Sequence, residues 1–451
     1  MVGVGRSAKN TDRKGTAVKN KVGAVRLVDR DEAPELPELS EDLRLAVAEA
    51  ALAAKEGLLA MSVAVGLRVM AEMMEAELID RVGVKYAKLP GRTANRHGSA
   101  PGTVVLGGRR VKVDRPRARS SEGKELELST YQAFAADDLL ERVVRERMLA
   151  GLATRRHRAA NEPVGAEVEA AASSTSRSSV SRRFVAGTTK ALDELMSRDL
   201  SQLAVAALMV DGVCFAERCC VVALALTADG TKVPVGLWEG DTENKTVVTH
   251  LLADLVDRGL DASRGLLVVI DGAKALASAV RKVFGDAALI QRCTVHKRRN
   301  VTDHLPEAER RLVDTKLARI FNDPDPSAGL RAARQLARAL EDKHPGAAAS
   351  LREGLEEMFT VRRLGLSDRL CRTLSSTNPI ESMISVGRTT HRNVKRWRDG
   401  KMVLRWAAAG MLNAERSFRR IKGCKDMLTL VAALIHYVET VIPSYENQEV
   451  A

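Results

Sequence analysis

The chain has 451 residues, of which 71 are Lys or Arg and 58 are Asp or Glu, so its formal net charge is +13. This length exceeds what one hydrophobic core usually serves, and we expect two to four domains. The surplus of cations favours a polyanionic partner. No apolar run reaches the ~20 residues of a membrane-spanning helix, and no apolar block follows the basic residues at the start of the chain. We therefore expect a nucleic acid, and not a membrane, as that partner.

The six cysteines have neither the paired spacing of a zinc ribbon nor the density of a disulfide scaffold. Reduced thiols in a cytoplasmic protein are the simplest expectation. Cys219 and Cys220 lie in an apolar run, so we expect both to be ordinary strand residues.

Residues 1–40 join a basic stretch rich in Gly and Lys to an acidic stretch with two prolines, which predicts a disordered arm and a linker. Residues 41–136 are expected to form a helical region with a small basic hairpin around Gly107 and Gly108. The basic residues of this hairpin are expected either to crowd one DNA-facing surface or to form an ordinary solvated face. They are Arg109, Arg110, Lys112, Arg115, Arg117 and Arg119.

Residues 137–200 have the spacing of a helix-turn-helix domain. Helices are expected over 141–152, 165–172 and 178–195, with a Ser-rich turn before the last one. Hydroxyl and guanidinium groups at the start of that helix can reach phosphates and base edges, so we predict DNA contacts there. The predicted contact residues are Arg177, Ser179, Arg182 and Arg183. The alternative is a plain bundle helix with a polar start.

The pattern after residue 203 becomes strand-like. Strands are expected over 208–215, 219–227, 233–239, 265–270 and 288–292, and helices over 244–259, 274–284 and 295–304. Three strands, helix, strand, helix, strand is the ribonuclease-H-like order, so the expected fold class is α/β. Asp211 lies inside the first strand and Asp271 ends the fourth, which is its neighbour in this topology. Two converging carboxylates offer hard oxygen ligands, which suit Mg²⁺ better than zinc.

The sequence resembles the mutator-type transposases of bacterial insertion sequences, a family of DDE transposases related to plant mutator and hAT elements. The resemblance covers roughly residues 141–411, and its most specific parts are the segments 210–212, 266–276, 291–300 and 377–382. By this resemblance Asp211, Asp271 and Glu381 correspond to the two aspartates and the final glutamate of the catalytic site. It implies a DNA transposase in which these carboxylates hold two Mg²⁺ or Mn²⁺ ions for phosphodiester hydrolysis and strand transfer.

A long stretch separates Asp271 from Glu381, and its apolar residues recur at helical spacing over 306–374. An all-α insertion, as the family has, fits this stretch. Residues 201–305 and 375–425 are then the two parts of the ribonuclease-H-like core, the second with basic helices. Residues 426–451 are expected to form a C-terminal helix and tail.

Cys293 and His296 match the family's Cys-x-x-His motif. Since no second Cys or His pair lies nearby at ligand spacing, we expect no zinc there, but a role in positioning DNA or in bracing the active-site helix. The cations that directly follow could hold phosphates; they are Lys297, Arg298 and Arg299.

A second cationic stretch follows Glu381. Arg388 and Arg392 share its helical face, and Lys395 and Arg396 precede Trp397. This mixture of cation and aromatic ring could bind the backbone and stack on an unpaired base. Trp406 lies in an apolar helix and is expected to pack in a core.

The resemblance implies double-stranded DNA as the partner, both the terminal inverted repeats of a mobile element and target DNA, and at least a homodimer to pair two ends. The implied setting is a bacterial cytoplasm, associated with the nucleoid. Two alternatives remain: a structure-specific ribonuclease-H-like nuclease, and a catalytically inactive, transposase-derived DNA-binding regulator. The presence of all three carboxylates argues against the regulator.

Overall fold

The computed structural model of the chain describes residues 57–440, apart from 87–90, 92, 137, 174 and 243. The predicted arm and linker of 1–40, the first part of the 41–136 region and the tail beyond residue 440 lie outside these residues. Within the described ranges, no helix is both long and apolar enough to cross a membrane.

The N-terminal described region is a helix packed on a three-stranded antiparallel sheet. Its elements are α1 (Leu58–Val82), β1 (Ala94–Leu106), β2 (Arg109–Ser120) and β3 (Glu125–Leu126). The predicted hairpin is confirmed, and β1 and β2 turn at Gly107 and Gly108, which have φ of 53° and 80°. Glycine adopts these positive values without the steric cost of a Cβ.

The predicted crowding of basic residues on one face of the hairpin is wrong. Alternate residues of a strand point to opposite faces, so Arg110 and Lys112 are separated from the other four. Arg109 is only 1% exposed, pairs with Glu169, and donates through Nη2 to the Glu162 carbonyl at 2.7 Å. Arg117 is likewise held by Glu125 at 2.6 Å. Ion pairs inside the domain therefore engage part of this charge.

Helices then connect the small sheet to the larger one. They are α2 (Ser129–Ala135), α3 (Asp138–Leu149), α4 (Ala166–Ala171) and α5 (Arg177–Met196). The three predicted helices are present, although the middle one has only six residues. Helix α5 begins at the predicted Ser-rich turn because the Ser176 hydroxyl accepts the Ser179 N–H and caps the first turn.

A five-stranded mixed sheet forms the centre of the molecule. Its elements are β4 (Val205–Phe215), β5 (Arg218–Thr227), β6 (Lys232–Glu239), α6 (Lys245–Asp257), β7 (Leu266–Ile270), α7 (Lys274–Phe284) and β8 (Ala288–Arg292). The strand order is β6-β5-β4-β7-β8, with β4, β7 and β8 parallel and the other neighbours antiparallel. The predicted order of elements and the α/β class are confirmed.

Both faces of this sheet are covered, which explains why its strands are continuous apolar runs. One face packs against α6 and α7 through residues such as Val210 and Ile270. The other packs, through Met209 and Val269, against α5 and helices from the C-terminal third of the chain. Alternation along β4 and β7 thus assigns each side chain to one of two separate cores.

The prediction of reduced cysteines is wrong at one place. Cys214 and Cys219 are register partners across the β4–β5 hairpin, with Cα atoms 4.0 Å apart, and they form a disulfide. Directly opposed strand residues lie close enough for this bond, whereas sequence spacing alone did not reveal the register. Cys220 is a buried strand residue, as expected.

Beyond β8, the described part of the chain contains helices joined by loops, and no further strand. The helices are α8 (Thr294–Asp303), α9 (Glu307–Phe321), α10 (Pro326–Glu341), α11 (Pro345–Arg352), α12 (Thr360–Arg363), α13 (Asp368–Leu374), α14 (Asn378–Thr390), α15 (Gly400–Glu415) and α16 (Met427–Thr440). Helices α8 to α11 share a core of their own, which includes Val301, Leu317, Ala337 and Leu351. Helices α13 to α16 return to the sheet and complete its second face.

Candidate active site at the ends of three parallel strands

The parallel pairing of three adjacent strands ends at the same level, although β4 itself continues to Phe215 beside β5. Val210 of β4 is paired in register with Ile270 of β7, and Ile270 with Arg292 of β8. The next residues along the chain are Asp211, Asp271 and Cys293. In addition, the Cys293 N–H donates to the Ile270 carbonyl at 2.7 Å, which extends the ladder by one bond. Two carboxylates and a thiol therefore lie side by side at one edge of the sheet.

Asp211 and Asp271 lie on the face of the sheet that α14 covers. Met209 and Val269 belong to the core shared with Ile380 and Met383 of α14, and side chains two residues apart in a strand point the same way. Asp211 and Asp271 come two residues after Met209 and Val269, so their side chains lie on the same face of the sheet. Strand register and period thus bring the two aspartates to the helix that carries Glu381.

Asp211 is a buried carboxylate whose charge is poorly accommodated. Its side chain is 8% exposed, and its Oδ1 accepts the Gly212 N–H at 2.8 Å. Burial raises the pKa of Asp211 to about 6; the Gly212 bond and His296 oppose this rise, while repulsion from Asp271 and Glu381 adds to it. The three acidic groups therefore interact electrostatically and leave an excess of negative charge at the edge of the sheet.

Glu381 lies in the first turn of α14 and is held by Thr377, one turn earlier. The Thr377 hydroxyl donates to Glu381 Oε1 at 2.6 Å, and His296 Nε2 is 3.7 Å from the same oxygen. Pro379 near the start of the helix has no N–H to leave unpaired, which is why proline is common at this position.

The residues at this edge offer two overlapping sets of metal ligands. Asp211, Asp271 and Glu381 supply carboxylate oxygens only, as Mg²⁺ and Mn²⁺ prefer. Within the described ranges, the group whose ligand atoms all lie within 4.8 Å of one another is instead Cys293, His296 and Glu381. That second set includes a thiol that is completely buried and already accepts a hydrogen bond from the Thr377 N–H. The excess negative charge around Asp211 fits a divalent cation held by the carboxylate set.

Cys293 and His296 perturb each other. Burial alone would raise the pKa of the Cys293 thiol, but hydrogen bonds from His296 and Thr377 lower it. The contact with Cys293 raises the pKa of His296 to about 9, aided by attraction to Glu381 and Asp211. The pair thus places a cationic imidazole next to the acidic cluster.

A family model described as "Transposase, Mutator family" matches residues 37–420 of the chain. The match covers more than half of the chain and includes every residue of the site described above. The chain belongs to the Mutator family of transposases.

Individual relatives agree with this family assignment. The chain is 31% identical over 198 residues to the transposase for insertion sequence element IS6120 of Mycolicibacterium smegmatis, covering 43% of this chain and 60% of the relative. It is 32% identical over 165 residues to the transposase for element ISRM3 of Rhizobium meliloti, covering 36% and 40%. For the transposase for element IST2 of Acidithiobacillus ferrooxidans the identity is 29% over 177 residues, covering 39% and 58%. The chain therefore spans less than two thirds of the length of each of these relatives.

The predicted DNA contacts on α5 of this family member have different exposures. Arg177 and Arg182 are exposed. Ser179 is only 9% exposed, and its hydroxyl accepts from Arg183 Nη1 at 2.5 Å. The first turn of the helix thus packs the Ser179 side chain inward, and its contact with DNA stays a prediction.

The predicted contacts around the Cys-x-x-His motif are mostly buried or paired. Cys293 has no exposed surface in this structure, and its contact with DNA stays a prediction. Lys297 is 3% exposed and donates to the Ser350 and Glu353 carbonyls at 2.7 and 2.9 Å. Arg298 forms a bidentate ion pair with Asp314, in which Nε and Nη2 donate to the two carboxylate oxygens at 2.8 and 2.5 Å. Lys297 and Arg298 thus attach α8 to the helical region, and Arg299 is left exposed.

The cations after Glu381 are exposed. They are Arg388, Arg392, Lys395 and Arg396. Trp397 is half-buried, and its ring packs against Phe215 at 5.1 Å, His391 at 5.3 Å and Trp406 at 6.4 Å between centroids. Its stacking on an unpaired base stays a prediction. Trp406 is 6% exposed and packs on Phe184, as expected for a core residue.

Two buried residues next to the site, Arg292 and Thr377, have no predicted role in the sequence analysis. Arg292 is 6% exposed, donates to the Gly272 carbonyl at 2.9 Å and pairs with Glu357 at 2.5 Å, so it ties the residue after Asp271 to the helical region. Thr377 contacts Glu381, Cys293 and His296. The spacing of four residues between Thr377 and Glu381 was a signal for the second, because residues one turn apart meet on a helix. Nothing in the sequence indicated the first.

Proposed function

We propose that this chain is a DNA transposase that cuts DNA and joins it to a target at one site made of Asp211, Asp271 and Glu381. The observation that carries the proposal is the parallel register, which places Asp211 and Asp271 side by side beneath the helix of Glu381. Separate elements thus contribute three carboxylates to one negatively charged edge.

We assign the central sheet and its helices to a ribonuclease-H-like core. The strand order β6-β5-β4-β7-β8, with two parallel strands following an antiparallel meander, supports this assignment. The separate core of α8 to α11, between Asp271 and Glu381 in the chain, supports an all-α insertion over 306–374. In this scheme 201–305 and 375–425 form the catalytic domain, while 41–136 and 137–200 belong to DNA binding.

The site fits divalent cations because the chain alone leaves its charge uncompensated. When two Mg²⁺ or Mn²⁺ ions are bound, they supply Lewis acidity for the attack on a phosphodiester and for the departure of its leaving oxygen. Asp211 and Asp271 would hold them from the strands and Glu381 from the helix. Strand pairing holds Asp211 and Asp271 in place before DNA arrives.

Exposed cations after Glu381 and at the start of α5 support double-stranded DNA as the substrate. Arg388, Lys395 and Arg396 lie just beyond Glu381 and can hold phosphates. Arg177 and Arg182 at the exposed start of α5 would read a terminal inverted repeat in the manner of a helix-turn-helix domain. Pairing two element ends requires at least a dimer. A nucleoid-associated protein of the bacterial cytoplasm is the setting that this proposal implies.

A strand-transfer assay tests the proposal. Purified full-length chain is mixed with labelled duplexes that carry candidate element ends and with target DNA, in Mg²⁺ or in EDTA. We expect metal-dependent cleavage and joining, which Asp211→Asn and Glu381→Gln abolish while DNA binding persists. Cleavage in EDTA equal to that in Mg²⁺ would overturn the metal-dependent site. Binding without cleavage in Mg²⁺ and Mn²⁺ would identify a regulator, and hydrolysis of branched DNA without joining would identify a nuclease.

A further inference from the structure

Glu381 differs from the two aspartates in that its position depends on one side-chain cluster. Thr377, Cys293 and His296 surround its carboxylate; we call these three residues the glutamate cradle. Thr377 is fully buried at the start of α14, Cys293 is fully buried at the end of β8, and His296 lies one turn into α8. The cradle thus joins the strand end, the helix that leaves it and the helix that carries the glutamate.

The hydrogen bonds of the cradle converge on the Thr377 hydroxyl. This hydroxyl donates its single proton to Glu381 Oε1 at 2.6 Å, and it also lies 3.4 Å from Cys293 Sγ and 3.4 Å from His296 Nδ1. Because the proton is engaged with Glu381, the oxygen is free to accept from the thiol or the imidazole. The Thr377 N–H donates to Cys293 Sγ at 3.4 Å, so main chain and side chain of Thr377 are both fixed.

Neighbouring backbone bonds hold the cradle in register with the sheet. Thr294 donates to the Ser375 carbonyl through its N–H and through its hydroxyl, both at 2.9 Å. The segment that leads into α14 is therefore attached to the start of α8, two residues from Thr377. The Glu381 carboxylate, which lies on a helix with no strand pairing, takes its place next to Asp211 through these contacts.

We propose that Thr377 is a positioning residue, which, with Cys293 and His296, holds the Glu381 carboxylate in the orientation required to bind metal. This inference rests on the proposed function of Glu381. A hydroxyl that orients a ligating carboxylate reduces the conformational freedom that this side chain loses when the ion binds. Removal of such outer contacts typically costs about 10- to 100-fold in metal affinity or activity. The Cys-x-x-His pair then acts inside the protein and not on DNA.

The test compares Thr377→Val with Thr377→Ser. Valine has nearly the shape of threonine but no hydroxyl, while serine keeps the hydroxyl. We expect Thr377→Val to cut DNA about 10- to 100-fold more slowly, to need more Mn²⁺ for half-maximal rate, and to bind end-containing DNA as the wild type does. Thr377→Ser should recover most of the rate. The matched control is Thr302→Val, a buried threonine of α8 whose hydroxyl bonds only carbonyls of its own helix.

A second readout does not depend on catalysis. Mn²⁺ added to the wild type should raise its melting temperature, and this rise should be smaller for Thr377→Val and for His296→Ala but unchanged for Thr302→Val. His296 is partly exposed, so His296→Ala leaves no closed cavity and remains informative if the valine variant folds poorly. The positioning role would be overturned if Glu381→Gln is inactive and Thr377→Val nevertheless matches the wild type in cleavage rate and in the Mn²⁺-dependent rise of the melting temperature. Full activity of Glu381→Gln would instead overturn the proposed function.

Discussion

The acidic site draws its carboxylates from two kinds of structure. Asp211 and Asp271 are fixed by strand pairing, since the residues directly before them are register partners in a parallel ladder. Glu381 comes from a helix far along the chain, where the Thr377 hydroxyl donates to it and His296 Nε2 lies 3.7 Å away. Backbone pairing needs no particular side chain, whereas the cradle needs three. We infer that the strand half of the site tolerates changes in its surroundings better than the helix half.

The two halves also differ in burial and charge. Asp211 is 8% exposed, whereas the Glu381 side chain is 39% exposed. Cations follow Glu381 along its helix and the segment beyond it, whereas apolar residues precede both aspartates in their strands. The strand half thus concentrates buried negative charge, and the helix half is open towards a polyanion. Each of these differences can be tested separately.

The largest expected effect is the loss of chemistry when a strand carboxylate is removed. Asp271→Asn keeps the shape of the side chain and its bond from the Ala273 N–H, but removes the charge that binds metal. We expect cleavage of an end-containing duplex to fall on the order of 10³-fold or more, with DNA affinity unchanged. The matched control is Asp286→Asn, on an exposed turn after α7, which should cleave as the wild type does. Near-normal cleavage by Asp271→Asn would remove the strand half from the site.

A second effect concerns stability and separates the two halves without any assay of activity. The pKa of Asp211 in the folded protein is about 6 against an ordinary value of 3.8, mainly because of burial. The folded state therefore binds the proton more tightly than the unfolded state does. The free energy of unfolding then falls as the pH rises between about 4 and 6, by up to about 3 kcal/mol.

Asp211→Asn should remove the decrease in the free energy of unfolding between about pH 4 and 6. In EDTA at pH 7.5 we expect the variant to be more stable than the wild type by up to about 3 kcal/mol, measured by urea unfolding, and the difference should vanish near pH 4. Added Mg²⁺ should narrow the gap by stabilising only the wild type. Glu381→Gln, at the more exposed half, should change the free energy of unfolding by less than about 0.5 kcal/mol. A wild type whose stability is flat from pH 4 to 6 would contradict the burial of an uncompensated Asp211.

The sheet could be predicted from sequence because its signals are local. Helix α7 and strand β8 have the predicted bounds. The helical spacing ends before Gly285, and the strand pattern ends before Cys293. Asp211 stood out as a carboxylate inside an apolar strand. Glu381, in contrast, was assigned through the family resemblance, because an exposed glutamate in the first turn of a helix is ordinary.

What the sequence did not reveal depends on contacts between distant segments. Cys293 is predicted as a DNA contact but is buried because the residues before α14 close over it. Arg109 is inside the protein because Glu169, 60 residues later, pairs with it. Trp397 is predicted to stack on an unpaired base because cations surround it in the sequence, yet its ring packs against Phe215 and Trp406. Patterns of charged and aromatic residues predict which side chains can bind a phosphate or a base. Whether such a side chain is instead bound by another part of the protein depends on the tertiary fold.

The smallest expected effect compares two arginines that look alike in sequence. Arg396 is exposed and has no ion-pair partner among residues 57–440 that the structure describes, whereas Arg298 is paired with Asp314 through two bonds. An unpaired guanidinium can release a counterion from DNA, while a paired one must first lose its carboxylate. We therefore expect Arg396→Ala to weaken binding several-fold for all DNA sequences and to reduce the slope of log Kd against log salt by about 1. Arg298→Ala should leave this slope unchanged and lower only the stability of the helical region. Fluorescence anisotropy between 50 and 200 mM salt measures both slopes, and equal slopes for the two variants would show that exposure in this structure does not select the DNA-binding cations.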